Sequence, residues 1–130
     1  MTHEHILKLI EEVDPNDTAK LDQIDANVWL YITRYPGNFS RLYSYPGTPY
    51  SWMLKNSQGD EFLQIGTKYT RSRDALKSIR PAGWFPDVRS MSPIEYVVFN
   101  GKEPIDYLPT EKLAELYATI QDIADERSQK

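Results

Sequence analysis

Apolar residues recur at helical spacing near both ends of the chain and at closer, alternating spacing in its middle. Ile6, Leu7, Leu9, Ile10 and Val13 predict an apolar helix face over about residues 3–13. Asp14-Pro15-Asn16-Asp17 ends that helix, because a proline disfavours helical backbone at the residue before it. Asn16 or Asp17 then caps a second helix, about 18–33, whose buried stripe is Leu21, Ile24, Val28 and Tyr31. Its early acids, Asp22 and Asp25, suit the positive end of the helix dipole and fall on a face expected to be solvated. Near the other end Thr110 caps a helix of about 111–126, lined by Leu113, Leu116, Tyr117, Ile120, Ile123 and Ala124. This is the clearest amphipathic helix of the sequence.

The middle is turn-rich. Tyr35-Pro36-Gly37 and Tyr45-Pro46-Gly47 repeat one tripeptide, and Pro followed by Gly suits the two central positions of a type II turn. Between them Phe39, Leu42 and Tyr43 predict a short strand. Residues 50–55 and 62–65 predict a hairpin about the turn at 56–59, with Trp52 and Leu54 on one face. Ser72 caps a short helix over 72–79 that Pro81 stops, with Ala75, Leu76 and Ile79 packing inward. Trp84-Phe85 reads as a strand with Trp84 in the core, 90–93 as a loop, 94–99 as a strand and Asn100-Gly101 as a turn. The order predicts one α+β domain over 1–130. Its expected form is a central antiparallel sheet of about four to five strands, covered by the N-terminal and C-terminal helices, with a short inserted helix.

Composition narrows the class. The 130 residues hold 40% hydrophobic and 26% charged positions, ordinary for a soluble domain. No apolar run approaches the roughly 20 residues that span a bilayer, and the start lacks a signal-peptide pattern. Cysteine is absent, which excludes disulfides and thiolate chemistry and suits the cytoplasm. The net charge of −4 is unevenly spread. Residues 1–27 carry seven acids and two lysines, residues 28–102 ten bases and five acids, and residues 103–130 seven acids and three bases. That pattern suits solvated acidic helices around a mildly basic sheet, and equally a basic surface for an anionic partner.

Enzymatic chemistry finds little support. A serine or threonine nucleophile needs a base, and the only histidines are His3 and His5, with no Gly-x-Ser-x-Gly turn. The acid pairs Asp14/Asp17 and Asp22/Asp25 have no partner to split their pKa values. Phosphate-cradling and dinucleotide-binding glycine motifs are missing, as is metal-ligand spacing. The sequence therefore predicts no catalytic residue, no metal and no cofactor. What remains is a basic segment, Lys68 to Arg80, beside a region holding half of the aromatic residues. Arg73, Lys77 and Arg80 follow helical spacing. Exposed tyrosines with arginines either anchor a protein interface or stack on bases beside phosphate contacts; filling a small core is the structural alternative. The candidate binding residues are Tyr35, Arg41, Tyr43, Tyr45, Tyr50, Arg71, Arg73 and Lys77. A pI near 5.1 argues against a duplex-DNA binder. A homodimer through the C-terminal helix is a further option.

The string Tyr69-Thr-Arg-Ser-Arg-Asp-Ala-Leu-Lys-Ser-Ile-Arg-Pro-Ala-Gly-Trp-Phe-Pro86 resembles the central motif of the phage α-β-α sandwich family of small phage-encoded proteins. Those proteins carry a similar run of tyrosine-threonine, a short helix ending at or beside proline, and glycine-tryptophan. The resemblance covers about residues 18–126, is strongest over 69–86, and leaves residues 1–15 outside. It implies helices on both faces of the sheet, a phage or prophage origin, and action in the host cytoplasm. The function it implies is accessory: binding a host macromolecule, with inhibition of a defence-system protein, anti-CRISPR activity included, as the specific expectation. Binding of nucleic acid or a nucleotide ligand through the basic, tyrosine-rich middle is the rival.

Overall fold

Each helix starts on a side-chain oxygen that accepts an otherwise unpaired backbone N–H. Thr2 accepts from His5 at 3.3 Å to open α1 (His3–Glu12), and Asp17 from Lys20 at 3.2 Å to open α2 (Thr18–Thr33). Ser72 accepts from Ala75 at 3.3 Å for α3 (Arg73–Ile79), and Thr110 from Leu113 at 3.2 Å for α4 (Glu111–Ser128). The computed structural model describes residues 2–100 and 102–129. Its strands are β1 (Gly37–Tyr43), β2 (Ser51–Asn56), β3 (Glu61–Ile65), β4 (Val88–Ser92), β5 (Glu95–Asn100) and β6 (Glu103–Leu108). The α+β class holds. The single central sheet does not: the strands form two antiparallel sheets of three, ordered β1-β2-β3 and β4-β5-β6.

The 66–87 segment accounts for the split. It spends its length on α3 and a proline-framed loop instead of a linking strand. Trp84-Phe85 lies in that loop and is not a strand. Pro81 and Pro86 have no N–H to give a ladder, and Gly83, at φ +76°, turns the chain so that the Trp84 N–H donates to Pro81 O at 3.2 Å. Trp84 is half-buried against the core and Phe85 is exposed under the Arg80 guanidinium. Residues 90–92, expected in a loop, belong to β4, and Pro93-Ile94 makes the turn to β5. Strand β6 has no counterpart in the sequence reading, because Pro104 argued against it; as an edge strand β6 tolerates proline. The expected Asn100-Gly101 turn falls partly outside the described residues.

Packing follows two registers. In the first sheet Trp52 and Leu54 share a face with Phe39 and Phe62, turned toward α2. Both Trp52 and Leu54 are fully buried. In the second, Val98 and Leu108 face α4, which also packs against α1 and α3. The stripe foreseen on α4 is thus covered within the chain: Leu113, Leu116 and Ile120 are buried. Arg127 on the last turn of α4 donates to Tyr31 O (3.1 Å) and Ile32 O (3.2 Å), capping the C-terminal carbonyls of α2. The opposite face of the first sheet is bare. It carries Tyr43, Met53, Leu63 and Ile65, with Leu63 52% and Ile65 62% exposed, so helices do not cover this sheet on both sides.

The repeated tripeptide does two different jobs. In Tyr45-Pro46-Gly47 the glycine has φ +81° and the Thr48 N–H donates to Tyr45 O at 3.1 Å, as a type II turn requires. Gly37 has no positive φ. It begins β1, and a Cβ there would lie 2.3 Å from Lys55 O on β2, so close approach of two strands excludes a side chain. The reversal before β1 is made by Arg34, in left-handed backbone at φ 57°.

Candidate functional site

Helix α2 carries more than its stripe inward. Asp22 is 8% and Asp25 0% exposed, so the solvated face expected for them is overturned. The cause is a counter-charge 46 and more residues away in the sequence. Arg71 Nη2 sits 2.5 Å from Asp22 Oδ1 and 2.7 Å from Asp25 Oδ2. The Thr70 backbone N–H and hydroxyl both donate to Asp25 Oδ1, at 2.8 and 2.9 Å. Tyr50 Oη lies 3.1 Å from Asp22 Oδ1 and 3.0 Å from Asp25 Oδ2, and its single proton serves one of them. The Tyr50 ring stands edge-on to Trp52 with centroids 5.8 Å apart, and Lys68 and Arg71 lie over it. Gly66 makes room: a Cβ there would come within 2.7 Å of that ring.

Electrostatics reinforce the cluster. Burial raises the Asp25 carboxyl above its ordinary range, against the pull of the Thr70 N–H and Arg71. Burial and the neighbouring carboxylates, Asp25 first, push the Tyr50 phenol well above its usual value, so it stays a donor. Burial works against the Arg71 charge, but the hydrogen bonds it donates to Asp22 and Asp25 hold the guanidinium above its ordinary range. A tyrosine that keeps its proton and carboxylates already engaged by donors make a clamp joining α2, the residue before β2 and the segment before α3.

The eight sequence candidates therefore separate. Tyr50 and Arg71 belong to the clamp. Arg73 bridges to α4, 3.0 Å from Glu111 and 3.7 Å from Glu115. Lys77 is exposed on α3, while Arg80, expected on the same helix face, follows the helix in extended backbone. Tyr35 packs on Trp29 and Phe62, with ring centroids 6.0 and 5.0 Å apart. Only Arg41, Tyr43 and Tyr45 converge on a surface. Tyr43 and Tyr45 stack at 5.3 Å, and Arg41 reaches across β2 to Glu61 at 3.5 Å. Leu63 and Ile65, which the hairpin pattern placed in a strand without marking them as exposed, complete that bare face. The alternation of 61–65 was their signal: Trp52 and Leu54 claim the inner face, so their cross-strand neighbours' outward partners are left to solvent.

A pocket of about 310 Å³ opens where the clamp meets the start of α4, lined by Thr70, Arg71, Arg73, Thr110 and Lys112 among others. Among the described residues no group of three His, Cys, Asp or Glu converges as metal ligands, and no helix is long and apolar enough to cross a membrane. Comparison with protein-family models, with curated proteins and with solved structures finds no match to this chain. The likeness of residues 69–86 to phage α-β-α sandwich proteins accordingly enters the functional reading as a proposal.

Proposed function

We propose that this chain is a non-enzymatic binding module whose contact surface is the bare face of the first sheet, and that its partner is a protein. One observation carries the reading: Tyr43, Tyr45, Leu63 and Ile65 lie on one uncovered surface, around the Arg41–Glu61 ion pair. Tyrosine and arginine amid exposed apolar groups are what protein interfaces select, and a surface of this kind on a small domain calls for a partner. The resemblance adds the narrower proposal: a phage accessory protein acting in the host cytoplasm on a host or defence-system protein. The rival, a nucleic acid or nucleotide ligand, draws on the pocket lined by Arg71, Arg73 and Lys112. Its arginines are already engaged by Asp22, Asp25 and Glu111, which favours the protein reading.

The test compares capture from nuclease-treated bacterial lysate by the native chain and by an Arg41→Ala/Tyr45→Ala variant, followed by titration of the purified captured protein. A protein held after nuclease, whose affinity falls roughly 30-fold in the variant while melting is unchanged, is the expected result. Affinity indifferent to both substitutions would sink the assignment. Capture that vanishes with nuclease and weakens steeply with salt would move it to the basic pocket.

A further inference from the structure

Edge strands invite pairing with other chains, and folded proteins blunt them with bulges and prolines. Among the described residues, three of the four edges are blunted. Ser40 is an unpaired extra residue in β1, Met91 in β4 and Ile105 in β6, and β6 also contains Pro104. Strand β3 has none of these devices. It pairs with β2 in unbroken register from Glu61 to Ile65, contains neither proline nor a basic residue, and packs chiefly against β2.

The direction of its backbone groups follows from the ladder. The Asn56 N–H donates to Asp60 O at 3.0 Å, and the Gly66 N–H to Tyr50 O at 2.7 Å. Both pairs continue the register of β2 and β3, so the hydrogen-bonded pairs between them fall at Phe62–Leu54 and Gln64–Trp52. Glu61, Leu63 and Ile65 consequently aim their N–H and C=O groups away from β2. The Gln64 side-chain amide donates to Ile65 O at 3.1 Å, which leaves that carbonyl a second lone pair.

We infer that β3 is the pairing edge for a second copy of this chain, antiparallel about a two-fold axis through Leu63, joining the β1-β2-β3 sheets of the two copies into one sheet of six strands. The strand is self-complementary in this register. Leu63 meets Leu63 and Glu61 meets Ile65 of the second copy; these are the residues with free backbone groups, giving roughly six new hydrogen bonds. Phe62 faces Gln64, no like charges stand opposite, and each Glu61 is already paired with Arg41 of its own copy. Leu63 and Ile65 from both copies then adjoin on one face. The inference does not depend on the identity of any other partner.

Sedimentation equilibrium from low micromolar to several hundred micromolar tests it on the full chain. The native chain should shift to twice its monomer mass. Leu63→Lys and Leu63→Glu, which set like charges across the axis, should each stay monomeric, and mixing the two should restore the doubled mass. Leu63→Pro removes an N–H that no monomer bond uses, so it should abolish the dimer with an unchanged far-ultraviolet spectrum. A native chain monomeric throughout overturns the proposal, even if another protein's strand is found on this edge. So does a dimer that persists in Leu63→Lys, or a mixture of the two charged variants that stays monomeric.

Discussion

Removing the Arg71 guanidinium would leave two carboxylates facing each other at the buried end of the clamp. Asp25 would keep Thr70 and a share of Tyr50, but Asp22 would keep only Tyr50. Breaking one partner out of a buried ion pair strands an uncompensated charge, so Arg71→Ala should cost about 3 kcal/mol in urea unfolding. Asp22→Asn should cost less, since Asp25 still faces the guanidinium at 2.7 Å. Equal costs would mean that the guanidinium's contribution runs through Asp22 alone, and would count against a charge shared with Asp25. Sequence pattern hid this cluster for a definite reason. Helical periodicity ranks residues by polarity, and it sends an aspartate to solvent unless a cation elsewhere in the chain is known to meet it. No cation stands three or four positions from Asp22 or Asp25 in the sequence, the spacing at which helix side chains pair; Arg71 arrives from beyond three strands.

At the scale of elements, the two Tyr-Pro-Gly copies give a controlled comparison. Gly47→Ala would force a side chain into left-handed backbone with nothing nearby to strike, costing about 1 kcal/mol. Gly37→Ala would drive a methyl group into Lys55 O, so β1 must move away from β2 and the loss should be the larger, about 2–3 kcal/mol. Thermal or urea unfolding of both variants checks the order; a larger loss at Gly47 would contradict it. Helices α2, α3 and α4 were legible because each announces itself twice, by a capping residue and by apolar spacing; α1 showed its spacing alone, its Thr2 cap passing unread. Ser72 and Thr110 are caps that the sequence indicated, and Asp17 is one of the two it left open for α2. The 50–65 hairpin was legible from alternation and its turn. Sheet membership was not: pairing between strands leaves no mark on either strand alone, and Pro104 concealed an edge strand. Of the candidate surface, the sequence supplied Arg41, Tyr43 and Tyr45. It did not supply Leu63 and Ile65, because an exposed apolar residue looks the same as a buried one until the sheet's covered face is known.

For the molecule as a whole, the junction of α1, α4 and β6 carries the pH response most open to test. The Tyr117 hydroxyl donates to Glu11 Oε1 at 3.0 Å, and Asp106 lies close by with one carboxylate oxygen buried and unpartnered. Burial raises the Asp106 carboxyl above its ordinary 3.8; the Tyr107 N–H opposes the shift and Glu11 adds to it. The folded state therefore holds this proton more tightly than the unfolded chain. The contribution is fully present below pH 3.8 and is lost as pH rises through the higher folded value. Asp106→Asn should flatten that part of the profile and stabilise the neutral-pH fold by under about 1 kcal/mol, the group being partly solvated. Urea unfolding across the acid range checks it; parallel profiles for native and variant chains would count against the assignment.

The Glu11–Tyr117 hydrogen bond spans 106 positions of sequence, and this has a consequence for how the chain acquires its shape during synthesis. Ile6, Leu7 and Ile10 are made first, yet part of their cover is α4, which is made more than a hundred residues later. At a translation rate of roughly 5–20 residues per second, α1 waits on the order of ten seconds with its apolar side unsheltered. A ribosome stalled before Leu113 should accordingly hold a nascent chain whose first helix is open to chaperones and proteases, and one on which an appended linker carries Ser128 clear of the exit tunnel should hold a resistant one.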